Sequence, residues 1–144
     1  MTNNKRLIDK KAIITGGAQG IGAGIVKRLY EEGVEIIIAD LKKDLAERVI
    51  NELDGNKGQI TFFEVDVSNE EQIKNLYNFT KTKWNKLDIL VNNAGIEDGY
   101  LIKDQTYEKY KKTININMNA SFLTSKYALP FFEKAGGGRI VNIT

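Results

Sequence analysis

The feature that most constrains the fold of this chain is a glycine-rich segment between an apolar run and an amphipathic one. Residues 15–22 read Thr-Gly-Gly-Ala-Gln-Gly-Ile-Gly, after the apolar residues 12–14 and before the helical spacing of Ile25, Val26 and Leu29. A strand, a glycine turn and a helix N-terminus in this order bring backbone N–H groups and the positive end of the helix dipole together. Glycine also lets a pyrophosphate approach the backbone closely. The segment therefore predicts a nucleotide-binding βα turn.

The spacing of the glycines narrows the kind of nucleotide site. Gly16, Gly20 and Gly22 give G-x-x-x-G-x-G, which differs from the usual G-x-G-x-x-G dinucleotide fingerprint. No Lys-Ser or Lys-Thr pair follows, which argues against a P-loop for ATP or GTP. A tight turn that binds no ligand remains an alternative at this point.

Asp40 ends the next apolar run, residues 34–39. An acid roughly 20 residues past the glycines, at the tip of the second strand, can bind the hydroxyls of the adenosine ribose. Its charge would repel a 2′-phosphate, and Gln19 offers no cation to bind one, so the two residues favour NAD over NADP. Lys42 and Lys43 lie just beyond and weaken this preference. Asp40 as the N-cap of the next helix is the structural alternative.

Composition excludes several classes of function. The formal net charge is +2, from 21 basic and 19 acidic residues that are interspersed, so no basic stripe indicates a nucleic-acid partner. Cysteine and histidine are absent, which removes disulfides, thiolate and imidazole metal ligands and any Ser-His-Asp triad, and we expect no metal. No apolar run is long enough for a membrane span, and residues 1–6 lack the apolar core of a signal peptide. We expect a cytoplasmic protein with no membrane partner.

Strand-like and helix-like patterns alternate along the chain. The strands are predicted at 11–15, 34–39, 60–65, 87–91 and 138–143, and the helices at 20–32, 42–54, 69–84 and 106–134. This alternation predicts an α/β fold of three layers, in which a doubly wound parallel sheet carries helices on both faces. Right-handed crossovers give the strand order 3-2-1-4-5, with a ligand crevice at the carboxyl ends of strands 1 and 4.

Local signals refine these elements. Ser68 and Glu71 have the spacing of a capping box at the start of the third helix. Residues 54–58 read as a turn, and Pro130 should kink or end the last helix. The third helix is expected to present one face composed of Ile73, Leu76, Tyr77 and Thr80.

Five motifs, in order over residues 11–144, make the chain resemble the short-chain dehydrogenase/reductase family. They are Thr15-Gly16-x-x-x-Gly20-x-Gly22, Asp66-Val67 after the third strand, Asn92-Asn93-Ala94-Gly95 after the fourth, Asn117 within residues 116–120, and the fifth strand at 139–143. The resemblance implies a Rossmann-like fold and hydride transfer between a nicotinamide cofactor and an alcohol or carbonyl substrate. Ala120 stands where many members have glycine.

The resemblance also implies roles for individual residues. Asn117 corresponds to the family's active-site Asn, which holds a water in the proton path, and is the one catalytic residue expected in this chain. Asp66 as the first residue of a turn, residues 92–95 as a structural turn and Asn117 as a surface Asn are the structural alternatives. The residues expected to bind the cofactor are Gly16, Gln19, Gly20, Ile21, Gly22, Asp40, Leu41, Asp66, Val67, Asn93, Ala94 and Gly95.

The family's catalytic Ser and its Tyr-x-x-x-Lys pair would follow Thr144. The two Tyr-x-x-x-Lys matches within the chain, Tyr77 to Lys81 and Tyr107 to Lys111, lie on earlier helices and are not expected to be catalytic. We therefore expect residues 1–144 to form a single, incomplete NAD(P)-binding domain, truncated after the fifth strand. Alone it should have essentially no turnover, and its exposed last strand should favour self-association. In the full-length form, the 106–134 helix should pair with that of a second subunit as a homo-oligomer.

The sequence leaves three functions open. The favoured one is an NAD-dependent oxidoreductase of a small alcohol or carbonyl compound, with this chain as the cofactor-binding half. The alternatives are an NADPH-dependent 3-oxoacyl thioester reductase and a nucleotide-binding module without catalysis.

Overall fold

Short runs rich in Ile, Val and Leu form the three central strands of a parallel sheet, because side chains buried on both faces need no polar alternation. The computed structural model describes residues 5–54 and 57–144. The sheet has the order β3-β2-β1-β4-β5, which confirms the predicted order 3-2-1-4-5. The strands are β1 (Lys11–Thr15), β2 (Glu35–Asp40), β3 (Ile60–Glu64), β4 (Ile89–Asn92) and β5 (Arg139–Asn142).

Helices alternate with these strands along the chain. They are α1 (Gly20–Glu31), α2 (Lys43–Leu53), α3 (Glu70–Lys83), α4 (Tyr107–Ile114) and α5 (Ala120–Ala135). A short 3₁₀ helix, Ile102–Asp104, precedes α4, and a π-helical turn, Asn115–Asn119, joins α4 to α5. None of the helices in the described ranges is long and apolar enough to cross a membrane.

The two faces of the sheet carry separate cores, as the doubly wound prediction requires. On one face, Ile13, Ile37 and Leu90 are fully buried among residues of α3 and α5. On the other face, Ile14 and Ile38 are fully buried beneath α1 and α2. In-register pairing of β1 with β2 and with β4 places the carboxyl ends of these three strands side by side.

The start of α3 corrects one prediction. The predicted face of Ile73, Leu76, Tyr77 and Thr80 is buried. The capping box of Ser68 and Glu71 is wrong, because the N-cap is Asn69, whose side chain accepts a hydrogen bond from the Gln72 backbone N–H at 3.1 Å. The hydroxyl of Ser68 donates instead to Asp66 Oδ1 at 2.7 Å.

The predicted helix over 106–134 is not continuous. The π-helical turn Asn115–Asn119 interrupts it, and Pro130 lies inside α5 rather than at its end. α5 continues to Ala135, where Gly136 ends it in the left-handed conformation at φ 74°. The predicted turn at 54–58 includes Gly55 and Asn56, which lie outside the described residues.

Candidate cofactor-binding site

A cleft of about 440 Å³ opens at the carboxyl ends of β1, β2, β3 and β4. Its size lies within the range of small-molecule sites, and its place is the crevice where the strand order reverses. It brings together all twelve residues that the sequence predicts for the cofactor, and Ala39, Lys42, Val65, Ile96 and Ile116 line it as well. The predicted residues in the cleft are Gly16, Gln19, Gly20, Ile21, Gly22, Asp40, Leu41, Asp66, Val67, Asn93, Ala94 and Gly95.

Close backbone approach explains two glycines of the first turn. Gly16 has φ 64°, and a Cβ there would lie 2.9 Å from the Cα of Ala94. A Cβ on Gly22 would lie 2.0 Å from the carbonyl oxygen of Gly16. Neither position can carry a side chain without moving backbone, so α1 begins directly against the turn that forms the floor of the cleft.

Thr15 and Asn93 join the glycine turn to the loop after β4. The hydroxyl oxygen of buried Thr15 accepts hydrogen bonds from the backbone N–H groups of Asn93 and Ala94, each at 3.0 Å. The Asn93 side-chain amide donates to the carbonyl oxygens of Thr15 and Gly16 at 3.1 and 3.0 Å. Residues 92–95 therefore form a structural turn, as one of the two alternatives predicts. The same hydrogen bonds hold two walls of the cleft together.

The carboxylate of Asp40 lies at the end of β2 and points to the glycine turn. Its Oδ2 accepts a hydrogen bond from the Ala18 backbone N–H at 3.0 Å, and its Oδ1 accepts one from the Lys42 backbone N–H at 3.0 Å. Asp40 as the N-cap of α2 is wrong, because that position is Lys42. Each carboxylate oxygen still has a lone pair with which to accept a hydrogen bond from a hydroxyl.

Lys42, which from the sequence only weakens the preference for NAD, lines the cleft as well. Its ammonium donates to the side-chain oxygen of Gln19 at 3.1 Å, although the two residues are 23 positions apart. The side chains of Lys42 and Gln19 thus meet at the cleft from the β2–α2 and β1–α1 connections. Proximity to Asp40 in the sequence was the only signal for it.

Asp66 begins a turn and also lines the cleft. Its Oδ1 accepts hydrogen bonds from the backbone N–H of Ser68 at 2.9 Å and from the Ser68 hydroxyl. Its own N–H donates to the Gln72 side chain at 2.8 Å. Asp66 therefore begins a turn, as its structural alternative predicts, and Val67 lies beside it in the cleft. A contact of Asp66 with the cofactor stays a prediction.

Asn117 lies in the π-helical turn and not among the residues that line the cleft. Its side-chain oxygen accepts from the Ile96 backbone N–H at 2.9 Å, and its side-chain amide donates to the Ile96 carbonyl oxygen at 2.9 Å. The two bonds tie the loop after β4 to the turn between α4 and α5. The side chain of Asn117 therefore positions Ile96, which does line the cleft.

The two internal Tyr-x-x-x-Lys pairs lie outside the cleft. Tyr77 is buried and donates its hydroxyl hydrogen to the Thr124 carbonyl oxygen at 2.6 Å, and burial raises the pKa of this phenol. Tyr107 is exposed and stacks on Tyr110. Among the described residues there is also no group of three or more acidic side chains that could hold a metal ion.

A family model for short chain dehydrogenases matches residues 10–144. The chain belongs to the short-chain dehydrogenase family. The nicotinamide dinucleotide that this family uses fits the residues present: a backbone-lined turn at a helix N-terminus for the pyrophosphate, a carboxylate for a ribose, and the apolar side chains of Val65, Val67 and Ile116 along the walls.

Several curated proteins are similar in sequence to this short-chain dehydrogenase chain. It is 36% identical over 137 residues to 3-oxoacyl-(acyl-carrier-protein) reductase FabG of Chlamydia pneumoniae. This match covers 95% of the chain and 55% of that protein. It is 35% identical over 139 residues to 2,5-dichloro-2,5-cyclohexadiene-1,4-diol dehydrogenase LinX of Sphingobium indicum, covering 96% of the chain and 56% of the relative.

A solved structure shares this fold. The crystal structure of gox2181 matches with a TM-score of 0.90 and 32% identity, over 98% of this chain and 55% of that one. The chain spans about half the length of the curated relatives it matches.

Proposed function

We propose that the chain is the cofactor-binding part of an NAD-dependent oxidoreductase that transfers a hydride between nicotinamide and a small alcohol or carbonyl compound. The position of Asp40 carries this proposal. Its carboxylate lines the cleft at the end of β2 and keeps a lone pair on each oxygen for the hydroxyls of an adenosine ribose. Its negative charge disfavours a 2′-phosphate at the same place.

The other cleft residues suit the binding of the remaining parts of the dinucleotide. The backbone of Gly20, Ile21 and Gly22 opens α1 and suits the pyrophosphate, and Asp66 with Val67 suits the adenine ring. The loop Asn93-Ala94-Gly95, tied to Thr15, suits the nicotinamide ribose. When bound, the cofactor supplies or accepts the hydride. Residues 1–144 are proposed to act as one cofactor-binding domain.

Asn117 is proposed to assist the proton path of the full-length enzyme, as the family role implies. Its side-chain bonds to Ile96 support a contribution through the shape of the loop, because they fix the backbone next to Gly95. The π-helical turn that carries Asn117 also supports a functional role, because such turns are frequent at functional sites.

A second candidate function is NADPH-dependent reduction of a 3-oxoacyl thioester. Two observations favour it: the Chlamydia pneumoniae relative is named for this kind of substrate, and the Lys42 ammonium lies at the cleft, where it could attract a 2′-phosphate. The Sphingobium indicum relative, named as a diol dehydrogenase, supports the alcohol-oxidising alternative.

A nucleotide-binding module without catalysis is the third candidate. Complementation separates it from the enzymes: supplying a segment with Ser and Tyr-x-x-x-Lys should produce cofactor-dependent turnover only if the chain is half of an oxidoreductase. Supply of such a segment without any turnover, while the dinucleotide still binds, would favour the module.

We also propose a cytoplasmic homo-oligomer that pairs through residues 106–134. Met118 in the π-helical turn and Phe122 and Leu129 in α5 are 63%, 66% and 49% exposed, which supports a subunit contact along this segment. The cysteine-free composition supports the cytoplasmic location.

The experiment that tests the NAD proposal compares two Asp-to-Asn variants. Asp40→Asn removes the charge at the ribose position, whereas Asp44→Asn removes an equal charge from the first turn of α2, away from the cleft. We expect Asp40→Asn to weaken NADH binding about tenfold in a calorimetric titration, because a charge-assisted hydrogen bond is lost. Asp44→Asn should bind as the wild type does. Equal NADH affinity in all three folded proteins would contradict the proposal.

A further inference from the structure

We propose that Thr124 is a positioning residue for the nicotinamide end of the cleft, although it lies outside the cleft, in α5. It acts through Asn92, the last residue of β4, which directly precedes the loop Asn93-Ala94-Gly95. This inference rests on the proposed function, because that loop is proposed to bind the nicotinamide ribose.

A buried hydrogen bond joins α5 to the end of β4. The Thr124 hydroxyl lies 2.6 Å from the side-chain oxygen of Asn92, and both residues are buried. The same hydroxyl also lies near two carbonyl oxygens of its own helix, those of Ala120 at 2.9 Å and Ser121 at 3.2 Å. Because a hydroxyl has a single hydrogen to donate, the shortest distance assigns that hydrogen to Asn92.

This bond fixes the orientation of the Asn92 side chain. Because its oxygen accepts from Thr124, its amide nitrogen faces the other way and donates to Asn142 in β5 at 2.9 Å and to Ser125 at 3.2 Å. The backbone carbonyl oxygen of Asn92 accepts the Ile143 N–H at 2.9 Å. Asn92 therefore links α5 to the carboxyl ends of both β4 and β5.

Thr124 is itself held in place from α3. The hydroxyl of Tyr77, which is buried as well, donates to the Thr124 carbonyl oxygen at 2.6 Å. Thr80, also in α3, shows how a buried helical threonine bonds when it has no such role. Its hydroxyl donates to the Leu76 carbonyl oxygen of its own helix at 2.8 Å, which is the ordinary bond of a threonine inside a helix.

These contacts predict that removing the Thr124 hydroxyl affects one end of the cleft. An unpaired buried acceptor is unfavourable, so the Asn92 side chain should turn away from its present partners. The change would reach Asn93, whose N–H donates to the Thr15 hydroxyl at 3.0 Å and so holds the loop to the glycine turn. Asp40, on the other side of that turn, should keep its position. NADH is proposed to use both ends of the cleft, whereas ADP lacks the nicotinamide ribose.

The test is a calorimetric titration with NADH and, separately, with ADP, using Thr124→Val and the matched control Thr80→Val. Thr124→Val should weaken NADH binding about three- to tenfold and change ADP binding less than about twofold, because only the loop after β4 is released. Thr80→Val removes a buried hydroxyl of the same kind and should bind both ligands as the wild type does. Thr124→Ser keeps the hydroxyl and should keep the NADH affinity.

Hydrogen exchange gives a second readout that needs no cofactor. The N–H groups of Asn93 and Ile143 should exchange at least several-fold faster in Thr124→Val than in Thr80→Val, while that of Ile37 in the centre of β2 should not differ between the two. Thr124→Cys, in which the donor is weak, is a milder variant for the case that Thr124→Val does not fold. It should bind NADH less tightly than Thr124→Ser.

Three results would overturn the inference. One is an NADH affinity that does not differ between Thr124→Val, or Thr124→Cys, and Thr124→Ser. Another is an equal loss of affinity for NADH and ADP, which would indicate general destabilisation. The third is equal exchange at Ile143 in Thr124→Val and Thr80→Val. Failure of the proposed function gives a different result: the folded wild type binds neither ligand, and faster exchange in Thr124→Val then still supports Thr124 as the residue that positions the end of β4.

Discussion

At the scale of one residue, Gly22 shows why a position next to the turn accepts only glycine. The space for a Cβ is occupied by the carbonyl oxygen of Gly16, at 2.0 Å. Gly24, two residues further along α1, is exposed, and a Cβ there would meet nothing within 4 Å. The same substitution at these two positions should therefore have opposite effects.

Gly22→Ala should destabilise the chain by about 1–3 kcal/mol, because the methyl group forces the turn and α1 apart. Gly24→Ala should stabilise it by about 0.5–1 kcal/mol, because alanine loses less conformational entropy in a helix interior. Urea unfolding followed by circular dichroism measures both changes. A Gly22→Ala protein as stable as the wild type would mean that the turn does not have this geometry.

Most of the candidate site could be predicted from the sequence, because its residues follow the strands directly. In a parallel sheet, the residues after each strand meet at one edge, so Asp40, Asp66 and Asn93 had to lie near the glycine turn. The contact between Lys42 and Gln19 could not be predicted, because the direction of a long side chain depends on the neighbouring loop and not on spacing. The bonds from Asn117 to Ile96 depend on tertiary packing in the same way.

At the scale of elements, the strands and the first three helices match the sequence within one or two residues. The single helix predicted over 106–134 does not match, because the spacing of apolar residues does not predict the π-helical turn Asn115–Asn119 that interrupts it. The N-cap of α3 is Asn69, one residue later than predicted, because the Ser68 hydroxyl donates its hydrogen bond to Asp66. Caps differ by such single-residue steps when two adjacent residues can both accept the N–H bond.

Asn117→Ala should release the loop after β4 without unfolding the sheet. The Ile96 N–H would lose its acceptor, so its hydrogen exchange should become at least several-fold faster. Asn119→Ala is the matched control, because Asn119 bonds within the same turn to Asn115. Equal exchange at Ile96 in both variants would show that the Asn117 side chain does not hold the loop.

At the scale of the whole molecule, one ionic contact ties the segment before β1 to the end of α1. Arg6 binds Glu32 through its backbone N–H at 3.0 Å and its guanidinium at 2.7 Å, and Arg28 also contacts Glu32. The hydrogen bonds from Arg6 lower the pKa of Glu32 from 4.5 to about 2. Because the folded pKa lies below the unfolded one, this contact stabilises the fold above the unfolded pKa.

Glu32→Gln should therefore reduce stability by a constant amount at neutral pH, and by progressively less as the pH falls. The difference between wild type and variant should decline below about pH 4.5 and vanish below about pH 2. Urea unfolding across this range measures it, and Glu31→Gln, which removes an exposed partner of Arg28, should show little pH dependence. A difference that stays constant down to pH 2 would contradict the ionic origin.

The most direct test of the cleft as a nicotinamide dinucleotide site is a titration of the purified chain with NADH and, separately, with NADPH, followed by nicotinamide fluorescence. We expect saturable binding in which NADH binds more tightly than NADPH, because the Asp40 carboxylate is proposed to bind the ribose hydroxyls and to repel a 2′-phosphate. Tighter binding of NADPH would contradict the role given to Asp40. Binding of neither cofactor by the folded chain would contradict the cleft as a dinucleotide site.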